Sequence, residues 1–249
     1  MRLAVLSDIH GNLDALEAVL ADLDAAGGAD KVWVLGDLAA FGPEPTGAVA
    51  RVRAMPEVEV ICGNTDRYLT TGRRPHMPVA DESAWGRMPA ALAARDGGFA
   101  WTVGQLDFAA YEYLRKLPPE LSLEVERFGW VIGFHAVPGD DETPRPPETP
   151  DDTLLDDLLD RQGKVALCGH THLPMDRELG NWRWINVGSV GLPFDGDARA
   201  CYALLHFEGA GLRVEHRRAA YDVGAVIDKL VAPNKEWVAN LLRTARPPA

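Results

Sequence analysis

"RLAVLSDIHGNLDALEAVL" (residues 2–20) carries two periodicities joined by a polar break. Residues 3–6 are an unbroken apolar run, as in a strand buried on both faces. Apolar positions then fall at Leu13, Leu16, Val19, Leu20 and Leu23, which is helical spacing, with Asn12 placed to cap the start and Gly27 to end it. The stretch predicts strand, loop, helix, and the loop contains Asp8 and His10.

Downstream, "KVWVL" (31–35) and "VEVIC" (58–62) predict further strands, separated by the turn "FGPEP" (41–45) and a helical stretch. A βαβαβ start of this kind predicts a mostly parallel sheet with right-handed crossovers. Residues 67–119 lack a strand pattern, and "MPAALAAR" (88–95) and "QLDFAAYEYLRKLPP" (105–119) predict a helical insertion or cap. The second half is strand-rich, with "LSLEVE" (121–126), "GWVIGF" (129–134), "KVALC" (164–168), "WRWIN" (182–186) and a hairpin in "CYALLHFEGAGLRVEHR" (201–217). Residues 137–152 are a proline- and acid-rich loop, and 222–246 form a helical tail interrupted near Pro233. Without an internal repeat or a long linker, residues 1–249 read as a single α/β domain.

Apolar residues at 47% and charged residues at 25% describe a soluble globular chain rather than a disordered one. A net charge of -12 argues against a broad basic footprint for extended nucleic acid or anionic lipid, so an anionic substrate needs a local positive centre. Apolar runs are too short to span a membrane, and the N-terminus enters a strand pattern at once, which predicts a cytoplasmic location. Cys62, Cys168 and Cys201 are widely spaced and lie in or at the end of apolar runs, the pattern of buried thiols.

Five strand-like runs end in a polar cluster: "VLSDIHGN", "VLGDLAAFGP", "VICGNTDRYL", "VIGFHAVP" and "ALCGHTHLP". In an open α/β sheet the carboxyl ends of the strands share one edge, so these clusters converge in space. Asp8, His10, Asp37, Asn64, His135, His170 and His172 therefore line one cleft and use four of the seven histidines. A thiolate-free mixture of imidazole, carboxylate and amide suits Mn, Fe, Zn or a similar divalent ion and argues against a structural zinc knot. Seven candidates exceed the needs of one tetrahedral ion, whereas two ions sharing one carboxylate would use them all. In "GHTH", alternate positions of an extended segment aim both imidazoles to one side.

These blocks resemble the calcineurin-like metallophosphoesterase superfamily: Asp8-Ile9-His10, Gly36-Asp37, Gly63-Asn64-Thr65-Asp66, His135 and Gly169-His170-Thr171-His172. "SDIHGNLDALEAVL", "GDLAAFGPEP" and "NVGSVGLPFDGDARACYALL" are similar to its small bacterial and archaeal phosphodiesterase branch, and the resemblance spans about residues 1–210. It implies two β-sheets packed face to face with helices outside, a four-layer αββα sandwich. It also implies one divalent ion on Asp8, His10, Asp37 and His172 and a second on Asp37, Asn64, His135 and His170, with Asp37 bridging. Mn²⁺ is the foremost candidate, with Fe, Zn, Ni or Co as alternatives. Two such ions about 3.5 to 4 Å apart share and acidify a water and aim the hydroxide in line at phosphorus. Counting both ions against Asp8, Asp37 and one hydroxide leaves roughly one net positive charge to draw a small phosphorylated substrate.

Many members carry histidine where Thr65 stands, and threonine cannot act as an acid near pH 7. That departure predicts a preference for phosphodiesters or phosphomonoesters with acidic leaving groups. His76 is a weak substitute acid and Arg67 a weak phosphate holder, with Asn64 as a further substrate contact; a solvated surface role is the simpler reading of His76 and Arg67. Asn12 reads as a helix cap, and Gly188, Ser189 and Gly191 as a structural turn. The competing readings are a metal-free protein-binding scaffold, a nuclease, which the acidic balance disfavours, and a protein phosphatase. A homo-oligomer is compatible with the sequence.

Overall fold

In the computed structural model, which describes residues 1–74, 81–231 and 235–247, the opening stretch forms β1 (Arg2–Leu6) and α1 (Leu13–Ala25). Asn12 caps α1, its side chain accepting from the Ala15 backbone N–H at 3.1 Å. Next come β2 (Lys31–Val34), α2 (Pro45–Arg53), β3 (Val58–Val60), α3 (Asn64–Thr71), α4 (Glu82–Gln105) and α5 (Phe108–Leu114). The strand-rich half supplies β4 (Glu120–Val125), β5 (Gly129–Phe134), α6 (Asp151–Asp156), β6 (Val165–Cys168), β7 (Met175–Leu179), β8 (Trp182–Asn186), β9 (Ala200–Glu208) and β10 (Gly211–Ala219). The tail forms α7 (Val223–Lys229) and α8 (Lys235–Thr244). The break near Pro233, like His76, lies outside the described residues.

Two five-stranded sheets result, ordered β10-β9-β1-β2-β3 and β4-β5-β6-β8-β7. Neither is mostly parallel, which corrects the expectation from the βαβαβ start. In the first sheet β1, β2 and β3 run parallel while the β9–β10 hairpin adds on antiparallel; in the second, β5, β6 and β8 run parallel between antiparallel edges β4 and β7. Strand β7 escaped the sequence reading because only Met175 and Leu179 are buried, at its two ends, with charged residues between. It is an edge strand with little apolar signal.

The alternation of β1 shows why its sequence is apolar throughout. Leu3 and Val5 face the second sheet, packing with Trp33, Leu167, Ile185 and Leu205, while Ala4 and Leu6 face the helices with Leu16, Val19 and Val49. On the outer face of the second sheet, Leu154 and Leu158 pack against Ala166 and Trp184. The layers are helices, sheet, sheet and a thin helical cover, so the carboxyl ends of β1, β2, β3, β5 and β6 open on one side. Cys168 and Cys201 are buried free thiols and Cys62 is half-buried. No helix among the described residues is long and apolar enough to cross a membrane.

Candidate metal centre

The loops after the strands are zipped together by main-chain hydrogen bonds that continue the sheet past its end. Asp8 N–H donates to Gly36 O at 3.1 Å, His10 N–H to Asp37 O at 2.9 Å and Gly11 N–H to Leu38 O at 2.8 Å. Across the two sheets, Val190 and Gly191 N–H donate to Ser7 O and Asp8 O, both at 2.9 Å, and Ser189 Oγ donates to Asp8 O at 2.8 Å. Ser189 and Gly191 thus hold the β1 loop in place, and Asn12 adds a bond from Nδ2 to Gly191 O at 3.0 Å. At Gly63 the close approach is absolute, because a Cβ there would overlap the Asp37 carboxylate.

Asp8, His10, Asp37, His170 and His172 all have φ between 51° and 65°, the left-handed region. Asp and His tolerate it better than most residues, but each instance costs of order 1–3 kcal/mol and is held only when the surroundings over-determine it. Here the zipped loops do so, and the chain turns sharply enough for residues from five loops to face one point.

All seven sequence-derived candidates come together. Asp8, His10, Asp37, His135 and His172 are buried, and the ligand atoms of Asp8, His10 and His172 lie within 4.8 Å of one another, as do those of Asp8, Asp37 and His135. Asp37 Oδ2 sits 3.7 Å from His10 Nε2 and 3.6 Å from His135 Nε2, between two groups of imidazoles.

Hydrogen bonding decides what those imidazoles offer. His10 Nδ1 lies 3.1 Å from Ala40 O, His135 Nδ1 2.7 Å from Leu35 O, His172 Nδ1 2.5 Å from Leu192 O and His170 Nε2 2.9 Å from Glu142 O. A carbonyl only accepts, so each of those nitrogens carries the proton and the other nitrogen of each neutral ring presents a lone pair. The lone pairs converge. His10 Nε2 faces His172 Nε2 at 3.2 Å, beside Asp8 Oδ1, which is buried and has no hydrogen-bond partner among the described residues. His135 Nε2 and His170 Nδ1 lie 3.3 Å apart and 2.9 and 3.2 Å from Asn64 Oδ1. Acceptors facing acceptors in a buried site repel unless a cation lies among them, so the donor set suits cation binding.

The electrostatics favour neutral rings at His10 and His170 and oppose one at His135. Burial pulls His10 down to about 4 against the opposing pull of Asp37, and burial together with His135 lowers His170. Burial also disfavours the imidazolium of His135, but Asp37 and Asp8 outweigh it and the net shift is upward. Burial raises the Asp8 carboxyl, yet His172, His135 and His10 more than reverse this and hold it well below the usual carboxylate range.

Asp66 has a role that the sequence reading missed. Its carboxylate accepts from Asp37 N–H at 2.8 Å, Leu38 N–H at 3.0 Å and Gly63 N–H at 3.2 Å, pinning the β2 and β3 loops to each other. The Gly-x-x-Asp spacing of a helix N-terminal box was the available signal. Burial, and then the neighbouring Asp37, push Asp66 up to about 7.

The remaining candidates fall as follows. Thr65 is buried, its backbone N–H donates to Asp37 Oδ1 at 2.9 Å, and its Oγ1 has no hydrogen-bond partner among the described residues. Arg67 lies on α3 and donates to Asp141 Oδ1 at 2.6 Å and Oδ2 at 2.7 Å, and also to Glu142, so contact with phosphate requires leaving this pair. His76 lies outside the described residues.

A family model of the calcineurin-like phosphoesterase superfamily domain matches residues 1–210. The chain belongs to this superfamily. Over 98% of both chains it is 30% identical to an uncharacterised protein of Methanocaldococcus jannaschii. A metallophosphoesterase from Sphaerobacter thermophilus has a similar structure at TM-score 0.73 and 25% identity, covering 98% of each chain. A hypothetical protein of Pyrococcus horikoshii shares the fold at TM-score 0.79 and 23% identity over 99% of each chain. A symmetrical bis(5'-nucleosyl)-tetraphosphatase of Yersinia enterocolitica is 39% identical over 66 residues, which are 26% of this chain and 23% of that protein. Membership identifies a phosphoesterase domain with candidate metal ligands.

Proposed function

We propose that this phosphoesterase binds two divalent metal ions, foremost Mn²⁺, and hydrolyses small phosphodiesters. The reading rests on the two groups of unprotonated donors that face one another across Asp37. His10, His172 and Asp8 would hold one ion, His135, His170 and Asn64 the other, and Asp37 would contact both. When bound, such ions supply an acidified water and positive charge for the oxygens of an in-line displacement.

The chain's own contribution is placement. Carbonyls of Ala40, Leu35, Leu192 and Glu142 fix each imidazole tautomer, an outer arrangement that typically governs metal affinity by 10–100-fold. Thr65 cannot deliver a proton near neutral pH, which favours acidic leaving groups that depart as stable anions.

The test is hydrolysis of bis-p-nitrophenyl phosphate by chelator-stripped protein with Mn²⁺ restored, alongside Asp37→Asn. Metal-dependent turnover that disappears in the variant is expected, with dialkyl phosphates turned over far more slowly. No turnover, together with metal analysis showing that the wild type takes up no ion, would favour the protein-binding scaffold instead.

A further inference from the structure

The metal centre is bordered on one side by aromatic rings that the hydrolytic reading does not use. Phe194 stacks on His172 with ring centroids 4.3 Å apart and planes 27° from parallel. Phe41 lies 5.4 Å from the His10 ring and 5.3 Å from the ring of Trp237 on α8, which it meets edge to face at 73°. None of the three is buried, and Trp237 is 42% exposed. Phe41 is held at φ 82°, a strained conformation for a bulky residue and one that recurs at ligand clamps.

Trp237 lies beyond residues 1–210, the part of the chain that matches the family model. Leu241 and Leu242 of α8 pack with Val226 and Leu230, and Phe41 and Phe194 rest against the same cluster. The tail thus places an indole against Phe41, whose ring in turn meets that of His10, while Phe194 meets His172.

We infer that Phe194, Phe41 and Trp237 form a stacking wall for a planar aromatic group on the phosphoester, a nucleobase or an aryl ring. This rests on the phosphoesterase reading and narrows its substrate class. A ring stacked there leaves its phosphate at the His10 and His172 side, because Phe41 and Phe194 meet those two imidazoles. Stacking is sequence-tolerant, because every base has a π-face, so the wall selects flatness and not a particular base.

Three esters sharing the p-nitrophenolate leaving group test this: thymidine 5'-p-nitrophenyl phosphate, phenyl p-nitrophenyl phosphate and methyl p-nitrophenyl phosphate. With Mn²⁺-loaded protein, the first two should exceed the methyl ester in kcat/KM by on the order of tenfold, mainly through KM. A preference for thymidine alone would identify a nucleoside site, and equal preference for both an aryl site. Trp237→Ala should collapse the ratio, Trp237→Phe should retain most of it, and Trp130→Ala, on the second sheet, should leave it intact. Phe194→Ala gives the same readout from outside α8. Calorimetric binding of AMP against inorganic phosphate supplies a readout without catalysis, and Trp237→Ala should abolish the advantage of AMP. No preference among the esters and no AMP advantage would overturn the wall while leaving the phosphoesterase intact. An AMP advantage lost in Trp237→Ala, with no ester hydrolysed, would keep the wall and defeat the hydrolytic reading.

Discussion

At Asp66, three backbone N–H groups converge on one carboxylate. Replacing it with asparagine keeps the shape but turns an amide N–H₂ toward at least one of those donors. An unsatisfied buried donor costs about 1–3 kcal/mol. Asp66→Asn should therefore lower the unfolding midpoint and weaken Mn²⁺ binding roughly 10–100-fold, as measured by calorimetry, because the Asp37 loop loses its anchor. Gly63→Ala should be more damaging still. The added methyl overlaps the Asp37 carboxylate, so metal binding should be lost even if far-UV circular dichroism shows a folded protein.

Between elements, the first sheet is tied to α1 by a polar cluster. Asp22 accepts from Arg217 Nε at 2.8 Å and Nη2 at 3.1 Å, and from the Tyr202 hydroxyl at 2.8 Å. The Arg217 hydrogen bond is the largest influence holding the Asp22 carboxyl below its ordinary value. A depressed carboxylate contributes stability above its unfolded value, near 3.8, and loses it as pH falls through the folded one. With both partners partly exposed, the gain is about 1 kcal/mol or less. Asp22→Asn should therefore lower the melting temperature slightly at pH 7, with the difference shrinking as pH falls below the ordinary carboxylate value and through the lower folded one. Secondary structure was legible where apolar periodicity is strong, as in β1 and α1, and invisible in β7, whose polar sequence pairs only because β8 lies beside it.

For the molecule as a whole, metal binding should couple to folding, because ligands contributed from Asp8 to His172 meet only in the native state. Mn²⁺ at about 100 times its dissociation constant should add roughly 2.7 kcal/mol. For a chain of this size that corresponds to a rise in melting temperature of about 5–10 °C. Asp37→Asn should show little of this rise in a thermal shift assay. With a net charge of -12, the proposed ions would supply the local attraction for an anionic substrate, so chelation should weaken phosphate binding as well as turnover.

The sequence alone determined that polar residues follow strands in order and that four of seven histidines belong to them, because strand ends in an α/β sheet share an edge. It determined the two-sheet fold only through family resemblance, since local periodicity cannot say which strands pair or in which direction. Tertiary structure decided the rest: which nitrogen of each histidine is free, since that depends on carbonyls of residues 35, 40, 142 and 192, distant in the chain. It likewise decided that Asp66 clamps two loops, and that an indole from the tail, at residue 237, stands beside a phenylalanine at residue 41. Such contacts arise from long-range packing, which leaves no periodic trace in the chain.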